Sequence, residues 1–456
     1  MVSPNNACWH ARLAALLAAS GKLTSAASHY QRALRDLGLA ADADLPSTEA
    51  QDEQQQQQQQ QQRRVRLQCQ FELAAVLSKL GNRLDAIALY EEVLRVDPEC
   101  VEALVNLAVQ VAITSSSRLE EALTLCMRAL VLQPQFAAAH FNRNMLLRRL
   151  GRQREAVRSY WQHLTRDLGV DVIRADLPAR LSSAILPSEE ENNQMPMALS
   201  PNYKNPPHDP ENEGSSATGV TVVCVKWGFK YGADYVNKLY NSVMRHGGEL
   251  TQSRLAFLCM TDDAEGIQLH ANLHVLPLAS GWKGWWNKCQ VFSNAVGEKL
   301  RALGHSRCLY VDLDTVIVGD LTDLLAWAPP PGVLTLLKTN HMTNEQREGG
   351  YNSSIMAWCN SCEDGDADER PLGFLHDFLQ AHFAAVSSYI YKFDHWLEMA
   401  LPDVRFLEDA FSGQVVEYRA LDEHATTPPV NARVVCFPLL PKPHNAEAQW
   451  IAQHWV

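Results

Sequence analysis

The sequence CLYVDLDTVIVG, residues 308–319, decides the fold of the C-terminal half of this chain. An apolar run leads into Asp312-Leu313-Asp314, and a β-branched run follows and ends at Gly319, which is the pattern of a buried strand rather than of a helix. Because side chains alternate along a strand, Asp312 and Asp314 point the same way with Cα atoms about 6–7 Å apart, while Leu313 points into the core. The stretch therefore predicts two converging carboxylates on a buried strand.

Two carboxylates at this spacing can bind one divalent cation. Mn²⁺ and Mg²⁺ prefer oxygen ligands and usually keep waters or substrate phosphates in their remaining positions. A buried carboxylate without a partner is costly, so the pair needs a cation or several donors. The same Asp-x-Asp spacing recurs at 42/44, 364/366 and 366/368 in polar surroundings, so the tripeptide alone is not diagnostic. The apolar flanks favour a metal site at Asp312 and Asp314 over carboxylates that cap a loop.

Length and composition bound the class of protein. A chain of 456 residues exceeds one ordinary core, so two or more domains are expected. A net charge of −12 without a Lys/Arg cluster argues against a nucleic-acid partner. We expect no membrane span, because no run of about 18 apolar residues occurs, and no secretory signal, because the N-terminus lacks a basic region before an apolar core.

The cysteine pattern indicates reduced thiols. Eleven cysteines are scattered along the chain. Cys359 and Cys362 form a lone CxxC, which without a second pair favours a loop over a zinc site. Reduced thiols are the simplest interpretation, and they predict a cytoplasmic protein.

A repeat runs through the N-terminal half. Ala86, Ala122 and Ala156 are spaced by 36 and 34 residues. Other positions recur at fixed offsets from these alanines, namely Gly81, Gly151, Tyr90, Cys126, Tyr160, Pro98 and Pro134. This spacing predicts that each repeat consists of a helix, a glycine-containing turn and a second helix. The alternative is an ordinary helical bundle with a chance periodicity.

The repeat resembles the tetratricopeptide repeat over residues 7–40 and 67–170. The match is clearest at Ala74, Gly81, Ala86, Tyr90 and Pro98. The resemblance implies a domain over residues 1–170 with a concave surface, which either binds peptides or a partner protein or packs on a neighbouring domain.

Two segments are expected to lack regular structure. Residues 41–66 contain nine consecutive glutamines, Gln54–Gln62, and this low-complexity composition predicts a disordered insertion. Residues 171–218 are predicted to form an extended linker, because from about residue 186 the periodicity disappears and the chain contains six prolines and the acidic stretch Glu189–Glu191.

The C-terminal half, residues 219–456, alternates strand and helix patterns. Strands are predicted near 220–225, 255–260, 273–278 and 308–318. This alternation predicts a mostly parallel sheet covered on both faces, in which ligands bind at the carboxyl ends of the strands. Lys226, Thr261 and Asp312 fall at those ends, so we expect them to line one crevice.

Four segments in this half resemble glycosyltransferases of the GT-A fold, closest to the family 8-like group. They are Asp312-Leu313-Asp314, Trp285-Trp286-Asn287-Lys288, Tyr351-Asn352-Ser353-Ser354 with Met356 and Trp358, and Pro441-Lys442-Pro443-His444. The resemblance implies an α plus α/β protein whose second domain is Rossmann-like with a mixed, mostly parallel sheet. It also implies an enzyme of the hexosyltransferase type that transfers a sugar from a nucleotide diphosphate donor, a UDP-sugar in particular, with Mn²⁺ or Mg²⁺ and with retention at the anomeric carbon.

The resemblance also assigns roles to single residues. Asp312 and Asp314 would hold the metal, with His444 as the third ligand. Asp394 and Asn352 are the expected catalytic residues, and Asp394 would orient the acceptor or stabilise an oxocarbenium-like state. Residues expected to bind the donor are Lys226, Tyr231, Thr261, Trp286, Lys288, Asp312, Leu313, Asn352, Ser353 and Lys442. The cation would stabilise the charge that develops on the departing diphosphate.

Several assignments have alternatives. The family's third metal ligand, a histidine, falls at Cys436 here, and His444 is the nearest substitute or a structural histidine. Trp285 and Trp286 fit core packing as well as stacking on a ligand, and each lysine fits a solvated surface position.

Three functional hypotheses follow. The first is a glycosyltransferase whose repeats recruit a protein acceptor or partner. The second is a repeat scaffold with a non-catalytic transferase-like domain. A third, a sugar nucleotidyltransferase, would require a glycine-rich phosphate loop after the first strand, and Val225–Gly228 is not such a loop.

Overall fold

The computed structural model of this protein describes residues 4–41, 49–178, 219–252, 254–340, 342, 350–360, 370–401 and 404–456. The chain divides into two compact units, Met1–Ala156 and Val157–Val456. Each unit has a buried core of its own. None of the helices in the described ranges combines the length and the apolar character needed to cross a bilayer.

The first unit is built from helices, and in the described residues up to 149 each helix packs against the next. They are α1 Pro4–Ala19, α2 Leu23–Ala41, α3 Glu49–Leu80, α4 Arg83–Val96, α5 Val101–Thr114, α6 Leu119–Leu132, α7 Ala137–Arg149 and the start of α8 Gln153–Leu168, with a 3-10 turn at Ser116–Arg118. Alanines without exposed surface, such as Ala86 and Ala122, let these helices approach closely. The predicted alternation of helix, turn and helix is therefore confirmed.

Glycine forms the turns inside the helix pairs. Gly21, Gly81 and Gly151 have φ values of 78°, 86° and 71°, which favour glycine because it has no Cβ. At the end of α3 the Gly81 N–H donates to the Ser78 carbonyl (3.2 Å), and the Asn82 N–H donates to the Leu77 carbonyl (2.9 Å). These bonds satisfy carbonyls that the helix end leaves unpaired.

The polyglutamine segment differs from the prediction of a disordered insertion over 41–66. Helix α3 runs without interruption through Gln54–Gln62. Gln, Glu and Arg are good helix formers. The same helix buries Leu73 and Leu77 near its C-terminus, and once this packed part has formed, each further residue extends the helix at little cost. Residues 42–48 of the predicted insertion lie outside the described residues.

The described residues of the second unit form two sheets. Its strands are β1 Gly219–Lys226, β2 Leu255–Thr261, β3 Leu273–Pro277, β4 His305–Val311, β5 Thr315–Ile317, β6 Thr335–Lys338, β7 Tyr351–Cys359, β8 Arg405–Phe406, β9 Val415–Glu417 and β10 Val434–Cys436. Seven form one sheet in the order β3-β2-β1-β4-β7-β6-β8, and three form a small sheet in the order β5-β10-β9. In the large sheet β1 to β4 run parallel, β7 runs antiparallel to β4 and β6, and β8 runs parallel to β6. The predicted mixed, mostly parallel sheet is confirmed.

Helices surround these sheets. They are the end of α8, α9 Val170–Asp176, α10 Ala233–His246, α11 Asn294–Leu303, α12 Thr322–Ala326, α13 Phe374–Tyr389, α14 Phe393–Ala400, α15 Leu407–Ala410 and α16 Ile451–His454. Short 3-10 helices cover Gly248–Gln252, Gly284–Phe292, Tyr418–Ala420 and Pro443–Asn445. Strand β1 is buried along its whole length and forms one core with the apolar face of α10.

The 308–318 stretch forms two strands instead of the one predicted. Strand β4 ends at Val311, and β5 begins at Thr315 in the small sheet. The Asp312 N–H donates to the Ser354 carbonyl at 2.9 Å, which ties this transition to β7. Asp312 and Asp314 therefore lie in the connection at the carboxyl end of β4.

The division between the units falls inside α8, earlier than the predicted domain end at residue 170. Trp161 has no exposed surface, and its indole N–H donates to the Met399 carbonyl at 2.9 Å. Its ring packs against Phe378 and Trp396, with centroids 5.7 and 6.0 Å away. The predicted linker also begins with a helix, α9, and residues 179–218 lie outside the described residues.

The described cysteines are free thiols. There are ten of them, including Cys359 of the CxxC motif. Its partner in that motif, Cys362, lies outside the described residues.

Candidate active site

Two aspartates at the end of β4 are each paired with a lysine from a distant segment. The Nζ of Lys288 lies 2.8 Å from Oδ1 and 2.9 Å from Oδ2 of Asp312. The Nζ of Lys442 lies 2.6 Å from Oδ2 of Asp314. Two ammonium groups therefore balance the two carboxylates that the sequence predicts as metal ligands.

Local structure fixes both lysines. Lys288 lies on the 3-10 helix Gly284–Phe292 and is 7% exposed, and Lys442 precedes the 3-10 helix Pro443–Asn445 and is 4% exposed. The Lys442 N–H donates to Oδ1 of Asn445 at 2.6 Å, and the Asn445 N–H donates back to the Lys442 carbonyl at 2.9 Å. Charges buried to this degree require a partner, which the aspartates supply.

Two tyrosine hydroxyls complete the carboxylate contacts. The Tyr310 hydroxyl donates to Oδ1 of Asp312 at 2.6 Å, and the Tyr231 hydroxyl donates to Oδ2 of Asp314 at 2.7 Å. Burial, reinforced by the neighbouring aspartate, raises the pKa of both tyrosines above the usual value. Both hydroxyls therefore stay protonated at neutral pH and act as donors.

Asp394 lies beside the first ion pair. It occupies the first turn of α14, where the helix N-terminus favours negative charge. Its Oδ1 accepts the Ser353 N–H at 3.0 Å, and its Oδ2 lies 3.3 Å from Nζ of Lys392. Ser353 in turn accepts from Lys288, at 3.3 Å through Oγ and 3.4 Å through its carbonyl. Ser353 thus connects Asp394 to the Lys288–Asp312 pair.

Asp312 and Asp394 differ in the direction in which the protein shifts the pKa of the carboxyl group. Burial raises the pKa of Asp312, Lys288 opposes this shift, and the charge of Asp314 adds to it. Burial acts on Asp394 in the same direction, but the ammonium groups of Lys392 and Lys288 outweigh it, and the pKa of Asp394 is lowered. Asp394 is therefore ionised at neutral pH, whereas burial disfavours the charged form of Asp312.

Lys226 and Thr261 lie side by side at the ends of β1 and β2, as predicted. Both donate to the Asp263 carbonyl, Lys226 through Nζ at 2.9 Å and Thr261 through Oγ1 at 2.8 Å. Each is 3% exposed. Their side chains therefore hold the turn after β2, and their contact with a donor stays a prediction.

Three further residues predicted to contact the donor have local roles in the structure. Trp286 is 6% exposed and packs edge to face on Phe383 at 5.2 Å, which is the packing alternative. The Leu313 side chain is buried in the core. Asn352 accepts the Ser354 N–H at 2.9 Å through its side-chain oxygen.

The predicted set of three metal ligands is not assembled. In the described ranges no three His, Cys, Asp or Glu side chains cluster as the ligands of a metal would. His444 is exposed, and its Nδ1 instead forms a hydrogen bond with the hydroxyl of Tyr235. The prediction that His444 completes the set with Asp312 and Asp314 is therefore wrong for this structure.

A site with two protein ligands does fit Mn²⁺ or Mg²⁺. Asp312 and Asp314 supply carboxylate oxygens, which both cations prefer, and diphosphate oxygens commonly complete such sites. Lys288 contacts both oxygens of Asp312, whereas Lys442 contacts only Oδ2 of Asp314, so the two carboxylates differ in how far a lysine already occupies them. The residues present therefore offer a divalent cation two carboxylates, those of Asp312 and Asp314.

Two residues of the site, Tyr310 and Lys392, were not predicted from the sequence. Tyr310 is two residues before Asp312, and this even spacing on a strand is the signal that places both on one side. Lys392 is two residues before Asp394, and its pairing depends on the turn into α14.

Comparison with solved structures yields similarities at low sequence identity. The C-terminal TPR-containing domain of a Plasmodium falciparum FK506-binding protein is 20% identical, covers 33% of this chain and 93% of that chain, and has a TM-score of 0.29. A TPR protein of Thermus thermophilus is 19% identical over 39% of this chain and 79% of that one, with a TM-score of 0.25. The MamA protein is 15% identical over 44% of this chain and 100% of that one, with a TM-score of 0.29. Scores this low assign neither a partner nor an activity to this chain.

Two other comparisons gave no match. No family model matches the sequence, and no curated protein does.

Proposed function

We propose that the second unit is a glycosyltransferase of the GT-A type, which transfers a sugar from a nucleotide diphosphate sugar, such as a UDP-sugar, to an acceptor. The observation that carries the proposal is the convergence of Asp312, Asp314, Lys288 and Lys442, from three separate parts of the chain, at the carboxyl end of β4. Ligands of open α/β sheets bind at this end of the strands. Paired carboxylates and lysines suit a ligand that combines a divalent cation with phosphates.

The chemistry of sugar transfer matches these charges. The diphosphate gains negative charge as its bond to the sugar breaks, and Lys288 and Lys442 supply buried positive charge for it. Mn²⁺ or Mg²⁺ held by Asp312 and Asp314 would act as a Lewis acid on the diphosphate oxygens. Asp394, ionised at neutral pH, would stabilise positive charge that develops on the sugar or orient the acceptor hydroxyl.

For the first unit we propose binding of a protein, either the acceptor or a partner. The support is its series of helix pairs, the arrangement that repeat proteins use to form extended binding surfaces.

A second candidate function is a repeat scaffold with a non-catalytic transferase-like domain. The observation that favours it is that both carboxylates of the predicted metal site are already neutralised by lysines. Such a domain would need neither donor nor cation.

Release of the nucleoside diphosphate from a panel of nucleotide sugars, with and without Mn²⁺, tests the proposal. We expect one donor to be turned over by the wild type with Mn²⁺, and the activity to disappear in Asp312→Asn/Asp314→Asn. Asp323→Asn, an exposed aspartate of the same unit, is the matched control and should keep the activity. Neither turnover nor binding of any donor by folded wild type would favour the scaffold.

A further inference from the structure

Trp285 carries an indole that the packing of the second unit does not use. Its side chain is 56% exposed, whereas its neighbour Trp286 is buried and packs edge to face on Phe383 at 5.2 Å. Trp282 is packed as well, with its ring stacked on that of His376 at 5.6 Å. Among the residues that the structure describes, the Trp285 indole has neither a ring contact nor a hydrogen bond. Core packing, one of the two interpretations of this tryptophan pair, therefore applies to Trp286 and leaves Trp285 available to a ligand.

The 3-10 helix Gly284–Phe292 places Trp285 at the solvent side of the site. Side chains three residues apart lie on one face of a 3-10 helix, and each residue adds about 2.0 Å of length. Trp285, Lys288 and Val291 therefore share a face, along which exposure falls from 56% to 7% to 1%. Lys288 contacts Asp312, and Trp285 lies one turn, about 6 Å, further toward solvent.

Tyr391 is a second exposed ring close to the site. It is 44% exposed and precedes Asp394 by three residues, so their Cα atoms lie at most about 11 Å apart. Its ring packs edge to face on His395 at 4.8 Å, which fixes its orientation. Ser353 connects Asp394 to Lys288. Each end of this connection therefore has an exposed aromatic ring three residues away in the chain.

Both rings belong to the β7 side of the charged residues. Strands β1 and β7 flank β4 on opposite sides in the large sheet. Ser353 lies on β7, whereas Tyr231 follows β1 and donates to Asp314. A transfer reaction needs a second substrate beside the donor, and the proposed function gives Asp394 the orientation of the acceptor hydroxyl. The exposed rings therefore lie on the acceptor side of the proposed site.

A sugar ring has the chemistry that suits this surface. One face of a pyranose presents C–H groups, which can cover an indole or a phenol ring, and its edge presents hydroxyls that need polar partners. Charged side chains adjoin both rings in the chain, namely Lys283, Lys392 and Asp394, and Lys283 is exposed. An aliphatic acceptor would instead match a continuous apolar groove. Two flat rings with charged neighbours therefore favour a carbohydrate.

We infer that Trp285, with Tyr391 beside it, binds the acceptor of the transfer reaction, and that the reacting end of this acceptor is a sugar. The inference rests on the proposed function and deepens it by naming the class of acceptor. A hydroxyl oxygen of the bound sugar forms the bond to the anomeric carbon, and the bond from that carbon to the diphosphate breaks. The nucleoside diphosphate leaves with the electron pair and takes up the hydroxyl proton.

Saturation-transfer difference NMR on the full chain measures acceptor binding without turnover. The probes are the methyl glycosides of glucose, galactose, mannose and xylose, with N-acetyl-tyrosinamide as a mimic of a protein side-chain acceptor. For wild type we expect at least one glycoside to bind, with the strongest signals from its C–H face. Trp285→Ala should weaken its binding about tenfold, and Trp285→Phe, which keeps a ring, should weaken it less. Because Trp285 is largely exposed, both variants should fold, and Tyr391→Ala repeats the test at the second ring.

Steady-state kinetics with the nucleotide sugar that is turned over separates the two substrates. In Trp285→Ala the KM for the glycoside should rise about tenfold, while the KM for the nucleotide sugar stays within about twofold of wild type. Trp9→Ala is the matched control, because Trp9 is 58% exposed but lies in the first unit. It should leave the glycoside affinity within about twofold of wild type.

Three results would overturn the inference while the proposed function stands. They are a wild type that binds none of the glycosides, a Trp285→Ala variant with unchanged glycoside affinity, and a Trp285→Ala variant that loses affinity for the nucleotide sugar alone. A folded wild type that neither binds nor turns over any nucleotide sugar would overturn the proposed function and the inference together.

Discussion

Replacing Trp161 with phenylalanine tests whether residues after Ala156 belong to the second unit. The indole is fully buried, and its N–H donates to the Met399 carbonyl at 2.9 Å, so the variant leaves a buried acceptor unpaired. Such a group costs about 1–3 kcal/mol. A loss of about 2 kcal/mol corresponds to roughly 30-fold faster exchange for amides that exchange by opening of the unit.

Hydrogen exchange read by mass spectrometry resolves which unit is affected. Exchange should accelerate in peptides from β7 and α14 and stay unchanged in peptides from α5 and α6. Trp285→Phe, at a site that is 56% exposed, is the control and should change stability by less than about 0.5 kcal/mol. Faster exchange confined to α5 and α6 would show that Trp161 belongs with the repeats and refute the assignment.

Further predictions concern Asp394 and two glycines. The pKa of Asp394 is lower in the folded protein than its value of about 4 in the unfolded chain, so its negative charge stabilises the fold. This stabilisation is complete above the unfolded pKa and is lost as the pH falls through the folded pKa. Asp394→Asn should therefore flatten the acid side of a curve of unfolding free energy against pH, measured by urea unfolding. An unchanged acid limb would contradict this. Gly81→Ala, at a φ of 86°, should destabilise the first unit by about 1–2 kcal/mol. Gly38→Ala, inside helix α2, should instead stabilise it by about 0.5–1 kcal/mol. Thermal unfolding measures both changes. Equal shifts for both glycines would contradict the helix and turn assignments.

The elements that the sequence predicts well are those with a strong local pattern. Two such patterns can be seen in the sequence itself: the apolar run Val220–Val225 and the regular spacing of alanine and glycine in the repeats. The structure contains both the strand and the helix pairs that they predict. Helix formation through Gln54–Gln62 could not be judged from composition, because it depends on the packed helix that continues from it. The end of the repeats was placed too late, because the periodicity at Tyr160 continues into residues that pack elsewhere.

The aspartates of the site and the lysines Lys288 and Lys442 were predicted, but their partners were not. Asp314 and Lys442 are 128 residues apart, and a contact at that separation leaves no mark in local sequence. The prediction assigned both lysines to the donor, whereas the structure pairs them with the aspartates. His444 was chosen for its position after Lys442, and its contact with Tyr235 arises from the packing of α10.

The most direct test of the site is to locate Mn²⁺ in crystals of the full chain grown with Mn²⁺ and each nucleoside diphosphate in turn. Anomalous scattering identifies the ion independently of any activity. Our account predicts a manganese peak in contact with carboxylate oxygens of Asp312 and Asp314, with Lys288 and Lys442 turned to the diphosphate. A bound diphosphate without manganese at these aspartates, or manganese bound elsewhere in the second unit, would contradict it.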